Sequence, residues 1–360
     1  VTTVNGQAVD ENSISFKALE KITVEGEVLD ASGQLVTDFT GIVNPTVKDS
    51  KVTVTCLKNS NKDDTPAFTF TDYPNTIFIG NDSVRNGKFS FTFTVPKDIS
   101  YSNLQGKMNL YAVDTESGNE AQGNFDNFIV GGTSDTAETD TIGPEIRALY
   151  LNDTTFVDGG QVNTTPYFVA ELWDKSGVNI TGSSVGHDMM LVIDESTVLS
   201  YNLNSYYELL PGEEGAGIVK FPIPALEPGK HTAEFWVWDI QNNSTVRTFT
   251  FEVVEGLKPF LFDVIATPGI AREQVTFHLM HNRPESRMRV GIMVYDLAGR
   301  QLWKHEESGT SGLFENYTVS WDLTCGGARM RPGVYIYRAA ISTDNSKDAT
   351  KARKFIILGE

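Results

Sequence analysis

The sequence predicts an all-β protein built from three tandem, immunoglobulin-like β-sandwich domains. Helix periodicity is almost absent along the 360 residues. Short runs rich in Val, Ile, Phe, Thr and Tyr recur instead, separated by clusters of Gly, Asn, Asp and Pro, which is the pattern of sandwich strands and their turns. Two polar segments then divide the chain into residues 1–140, 141–257 and 258–360.

Taken in order, KITVEGEVLD (21–30) reads as a strand, and KFSFTFTV (88–95) as a clearer one. In the latter, Phe89, Phe91, Phe93 and Val95 alternate with Ser90, Thr92 and Thr94, placing one face in a core and the other in water. GGTSDTAETDTI (131–142) joins paired glycines to small polar and acidic residues without apolar alternation. It reads as a linker that bends or moves, with Pro144 just beyond it. TAEFWVWD (232–239) is a strand of the second block, and a shorter boundary falls at 255–259. In the third block MRVGIMVYD (288–296) is a strand, and Asp296 to Gly299 form a turn in which Gly299 supplies positive φ. QLWKHE then returns as the paired strand. VSWDL (319–323), a Pro332-Gly333 turn leading into VYIYRAAI, and a basic cluster entering the last apolar strand, KARKFIIL, complete the block.

Composition supports folded cores, with 40% apolar and 11% aromatic residues. No run of about 18 apolar residues appears, so no membrane-spanning helix is expected. Cys56 and Cys325 are too few for a disulfide framework or a cysteine-rich zinc site. The first residue is Val1, without a charged start or apolar signal segment, so further sequence upstream is expected. Net charge is −10 over residues 1–140, −11 over 141–256 and +3 over 257–360, where nine arginines fall. The acidic blocks repel polyanions, and nucleic acid is not expected as a partner.

Chemistry-bearing residues are few. Cys56 in VTVTCLK reads as a small buried residue of a strand, and Cys325 precedes a Gly326-Gly327 turn with no recognisable base. His278 and His281 are spaced to fall on opposite faces of a strand, so they read as surface or loop histidines rather than a metal pair. His187 reads as ordering its glycine-containing loop. Asp135, Glu138 and Asp140 in the linker, and Asp63 and Asp64 earlier, lack EF-hand spacing and read as solvated charge. Trp236 and Trp238 share a strand face with Glu234, which suits either a covered face or a sugar platform. No catalytic residue, metal or cofactor is expected.

The motifs of the third block together resemble the C-terminal sorting domains of the Bacteroidetes type IX secretion system. These are Tyr295-Asp296 with Gly299-Arg300, Trp321-Asp322, Gly333-Val334-Tyr335-Ile336-Tyr337, and Lys351 with Lys354. The opening departs from the family's Pro-Asn-Pro, reading Pro268-Gly269-Ile270. Residues 174–194, Tyr206-Tyr207, 226–231, 237–244, and GKFSFTFTVPKDI with 111–114 resemble the region behind the peptidase domain of the type IX secretion sortase family, gingipain-type cysteine peptidases. The resemblance implies a non-catalytic C-terminal region whose catalytic domain lies upstream, in a protein peripheral to the outer membrane at the cell surface. That enzyme would remove C-terminal signals from secreted cargo and pass the cargo to anionic lipopolysaccharide. Its implied docking partner is the outer-membrane β-barrel shuttle protein PorV, with Pro268, Gly333, Tyr335, Tyr337, Arg338, Lys351 and Lys354 as recognition residues. An adhesin or carbohydrate-binding stalk of a surface enzyme is the rival reading.

Overall fold

In the computed structural model the described residues are 1–9, 14–57, 66–135, 139–182, 186–210, 213, 215–343 and 346–359, and their regular structure is β apart from one 3-10 turn, Asn204–Tyr206. The sheets come in pairs along the sequence, as tandem β-sandwiches. The chain divides into two compact units. The first holds Val1–Leu149, Ala170–Lys220 and Thr232–Thr248, and the second holds Tyr150–Val169, Phe221–His231 and Phe249–Glu360.

In the first unit the alternating phenylalanines behave as their spacing dictates. Lys88–Thr94 pairs antiparallel with Lys21–Glu27, setting Phe91 opposite Val24 and Phe93 opposite Ile22. Phe89, Phe91 and Phe93 all point inward, with successive ring centroids 6.3 Å apart. Across the core a three-stranded sheet supplies Phe16, from Ile14–Ala18, and Phe128, from Phe128–Thr133, stacked at 4.2 Å. Phe16 meets Phe93 edge-on at 5.8 Å, so one aromatic cluster joins the two sheets. Each buried ring contributes about 1.5–3 kcal/mol of transfer free energy. The strand Phe128–Thr133 also takes in the first three residues of the glycine-rich segment.

A two-stranded ribbon, Val52–Thr55 with Thr69–Asp72, stands outside both sheets. Cys56 follows directly and is exposed, which corrects the expectation of burial: the strand pattern is real, but among the described residues no second sheet covers this ribbon. Leu57 and Phe68 are exposed for the same reason.

Residues 145–253 form a four-stranded and a five-stranded sheet. Within the first unit, Met190–Ile193 pairs with Ser200–Asn202 on one side and with the Gly229–Trp238 strand on the other, Leu191 lying opposite Phe235.

The last sandwich lies wholly in the second unit. Leu261–Thr267, Val275–His281 and Tyr317–Trp321 form one sheet. Ile270–Ala271, Ala349–Ile357, Gly333–Thr343, Met288–Tyr295 and Gln301–Gly309 form the other, in that spatial order. Val290, Ile292, Val294, Phe277, Tyr337 and Phe355 fill the space between them. The expected hairpin is present. Gly299 has φ of 82°, and the Asp296 carboxylate accepts the amides of Ala298 and Arg300 while the Arg300 guanidinium donates to it at 3.1 Å. The Tyr-Asp…Gly-Arg motif is therefore a self-contained turn.

Candidate functional site

Cross-strand partners share a face, so register sorts six of the seven expected recognition residues, all but Pro268, which lies between strands. In the five-stranded sheet Arg338 lies opposite Met293 and Ala352, Ile336 opposite Tyr295 and Lys354, and Met293 opposite Lys304. Arg338 and Lys354 are exposed on a partly aliphatic outer face that also carries Lys304, whose ammonium pairs with Glu306 at 2.8 Å. Gly333 pairs with buried Ile357 and so takes an inner-face position, whereas at one end of the outer face sits exposed Pro268, which follows Thr267 through a cis peptide bond. The adjacent Gly269 carbonyl accepts the Ile356 amide at 3.0 Å.

Tyr335 and Tyr337 point the other way. Both are buried, and their hydroxyls donate to backbone carbonyls, Tyr335 to Arg331 at 2.6 Å and Tyr337 to Val264 at 3.0 Å. They set the shape of the strand without touching its outer face. Lys351 is half-buried and its ammonium donates to the Phe262 carbonyl. Beside it, Arg353 grips Asp263 with two nitrogens, the shorter contact 2.7 Å, and these hydrogen bonds, with the Val264 amide, hold the Asp263 carboxyl below the usual range. Lys351 and Arg353 thus close the sandwich edge, a role that sequence reading did not assign to Arg353.

The histidines separate into two kinds. His281 is half-buried rather than a free surface residue, and burial with the nearby Arg283 charge pushes it down to about 4. Its Nδ1 accepts the Arg283 amide at 3.1 Å, so in the neutral ring Nε2 carries the proton and donates to Ser311 Oγ at 3.0 Å. The Ser–His pair therefore has no free base nitrogen and cannot activate the hydroxyl. Cys325 Sγ lies 2.7 Å from the Leu302 carbonyl.

His187 does more than order its own loop. Its Nδ1 lies 2.6 Å from Asp98 Oδ2, and its ring rests 4.5 Å from Trp238. Trp236 is half-buried opposite Met190 and donates to Glu234 at 3.3 Å, so neither indole is freely exposed.

The acidic residues regroup in a way that spacing does not reveal. Asp140 leaves the linker and, with Asp174 and Asp239, presents carboxylate oxygens all within 4.8 Å of one another. Asp174 and Asp239 are buried, and desolvation raises both pKa values, with Asp140 adding like-charge repulsion at Asp174 and Asp174 adding it at Asp239. Backbone amides oppose the shift: Ser176 and Gly177 donate to Asp174, and Gln241 and Asn243 to Asp239. An all-oxygen donor set of this kind suits a hard divalent cation. Asp135 is exposed; Asp63, Asp64 and Glu138 lie outside the described residues.

No protein-family model and no curated protein sequence matches the chain. Among solved structures, the chain is similar over its whole length to dimeric latent PorU from Porphyromonas gingivalis, at 37% identity, covering 34% of that chain with a TM-score of 0.43. It is also similar to the Ig1-2 module of the Drosophila receptor protein tyrosine phosphatase DLAR (9% identity, 61% of this chain and 100% of that one, TM-score 0.24). A third is the Bacteroides ovatus SGBP-B in complex with a mixed-linkage heptasaccharide (8% identity, 99% and 70%, TM-score 0.27). The last two are too distant to carry an argument. The first is a likeness of sequence rather than of superposition, and the chain spans about a third of that protein's length.

Proposed function

We propose that the chain is the non-catalytic C-terminal β region of a type IX secretion sortase, organised as the three domains 1–140, 141–257 and 258–360. The observation that carries this reading is the 37% identity to PorU across all of the chain. In the intact protein, a gingipain-type cysteine peptidase domain removes C-terminal signals from cargo and joins the cargo to anionic lipopolysaccharide at the cell surface. The present region positions that domain and holds it at the outer membrane.

In this reading the last sandwich docks, uncleaved, on the barrel protein PorV. Arg338, Lys354 and Pro268 supply the contact surface, and Gly333, Tyr335, Tyr337 and Lys351 support it from behind. Among the described residues no helix is long and apolar enough to cross a membrane, so surface retention through a partner is a consistent arrangement. The +3 charge of this block against −10 and −11 elsewhere also favours it as the face that meets an anionic surface.

The test is made in the full-length protein. Reversing both outer-face charges, Arg338→Glu with Lys354→Glu, is expected to abolish capture by PorV and release the protein from the cell surface while peptidase activity on soluble signal peptides persists. Retention unchanged in this variant and in one lacking residues 351–360 would place the anchor elsewhere.

A further inference from the structure

We propose that Asp98 is a latch that fixes the first sandwich to two loops of the 141–257 block, so that side chains rather than the glycine-rich segment set the geometry of this joint. Asp98 lies in VPKDIS, directly after the Lys88–Thr94 strand, and is 9% exposed. Its carboxylate is met by three side chains from distant sequence. His187 Nδ1 is 2.6 Å from Oδ2, Asn242 Nδ2 donates to Oδ1 at 2.8 Å, and Asn179 Nδ2 approaches Oδ2 at 3.4 Å.

The neighbouring backbone is tied as well, the Lys97 amide donating to the Ile240 carbonyl at 2.8 Å. Asp98 is also held from its own side, because buried Asp49 accepts the Ser100 amide at 2.7 Å and so steadies the loop that carries the latch. The same 239–243 loop takes hold of the linker. Gln241 accepts the Asp140 amide at 2.9 Å, and Asn243 donates to the Asp140 carbonyl at 3.1 Å. With residues 131–133 in a strand, the segment expected to bend is pinned on both sides.

A buried carboxylate gains from several donors at once, and losing it leaves Asn179 and Asn242 amide groups without their acceptor. A joint closed this way holds attached parts at a fixed separation, whereas a slack linker spreads them over many positions.

The experiment uses the whole 360-residue chain and reads amide hydrogen exchange residue by residue in Asp98→Ala and in His187→Ala. The latch requires the Lys97 amide to exchange about tenfold faster or more in Asp98→Ala, and by a smaller factor in His187→Ala, where Asn242 and Asn179 still reach the carboxylate. Proteolysis within residues 131–142 should quicken in step, while the amides of Phe89, Phe91 and Phe93 keep wild-type protection. Unchanged Lys97 exchange in both variants would overturn the proposal. So would a loss of protection spread evenly through the first sandwich in Asp98→Ala, since Asp98 would then hold its own domain together rather than the joint.

Discussion

The two units bury opposite charges. Among the described residues, the buried acidic and basic side chains of the first unit are aspartates, Asp49, Asp98, Asp114, Asp174 and Asp239, whereas the second unit buries Arg283. The aspartates collect loop amides. Asp114, for example, accepts from Thr40, Glu116 and Ser117, and these bonds hold its carboxyl down to about 2. Arg283 collects carbonyls, donating to Asn282 at 3.1 Å and to Leu257 at 3.0 Å. Both devices answer the same need, since a loop folded back on a sandwich must satisfy backbone groups that water no longer reaches. An anion serves where N–H groups converge and a cation where C=O groups do. Leu257 belongs to the second boundary segment, so that segment is tied down by a charge of the sign its block carries in excess, whereas the neutral side chains of Gln241 and Asn243 hold the first at Asp140.

The largest effect should come from removing the cation. Arg283→Met keeps much of the volume but leaves the Leu257 and Asn282 carbonyls without donors, at a cost of about 3 kcal/mol. Fluorotryptophan NMR during urea unfolding reads each unit separately, because Trp303 and Trp321 belong to the second and Trp173, Trp236 and Trp238 to the first. The midpoint for Trp303 and Trp321 should fall while the other three hold. A loss shared by all five would break the comparison.

Acid should separate the units next. His281 is held at about 4 against about 6.5 in the unfolded chain, so between those values the unfolded form takes up a proton that the folded form refuses. Its support is complete above pH 6.5 and is lost on the way to 4, an effect of about 2 kcal/mol by pH 4.5. Asp174 and Asp239 have raised values, so the folded first unit protonates before the unfolded chain and acid relieves it. Urea midpoints at pH 7 and 4.5 should therefore drop for the second unit and not for the first. His281→Gln should flatten the second unit's response, and persistence of the drop in that variant would assign it to another group.

A single hydroxyl gives a smaller step. Tyr337→Phe keeps the ring packed against Phe277 at 4.9 Å but strands the Val264 carbonyl, and about 1 kcal/mol should be lost from the second unit. A change within error would mean that the bond only orients the ring.

What the sequence made readable was local. The Phe89 to Phe93 alternation and the Asp296 to Gly299 turn are decided within a few residues, and both stand as read. The Asp98 latch spans 81 to 144 positions in sequence. VPKDIS looks like any polar loop until its partners arrive, and HNRPES hides Arg283 in the same way. The aromatic alternation of GVYIY identified a strand, but which tyrosines faced inward depended on pairing with Met288–Tyr295 and Ala349–Ile357. Cys56 misled because alternation predicts a strand and not what covers it.

The smallest effect on stability is the most informative about function. Arg338 and Lys354 stand on the outer face, and neither makes an ion pair among the described residues. Exposed charges without close partners contribute within about 0.5 kcal/mol, so Arg338→Glu with Lys354→Glu should leave both unfolding midpoints where they were. Arg353→Glu is the contrasting variant. It replaces the two-pronged grip on Asp263, whose shorter contact is 2.7 Å, with a like-charge pair at the sandwich edge, and should lower the midpoint for Trp303 and Trp321. If the outer face is a docking surface, capture by PorV should fail in the double variant despite wild-type stability, and should fail in Arg353→Glu only as far as the fold is lost. Equal capture by wild type and the double variant would leave the outer face with no part in docking, and the charge contrast between the two units would then concern folding alone.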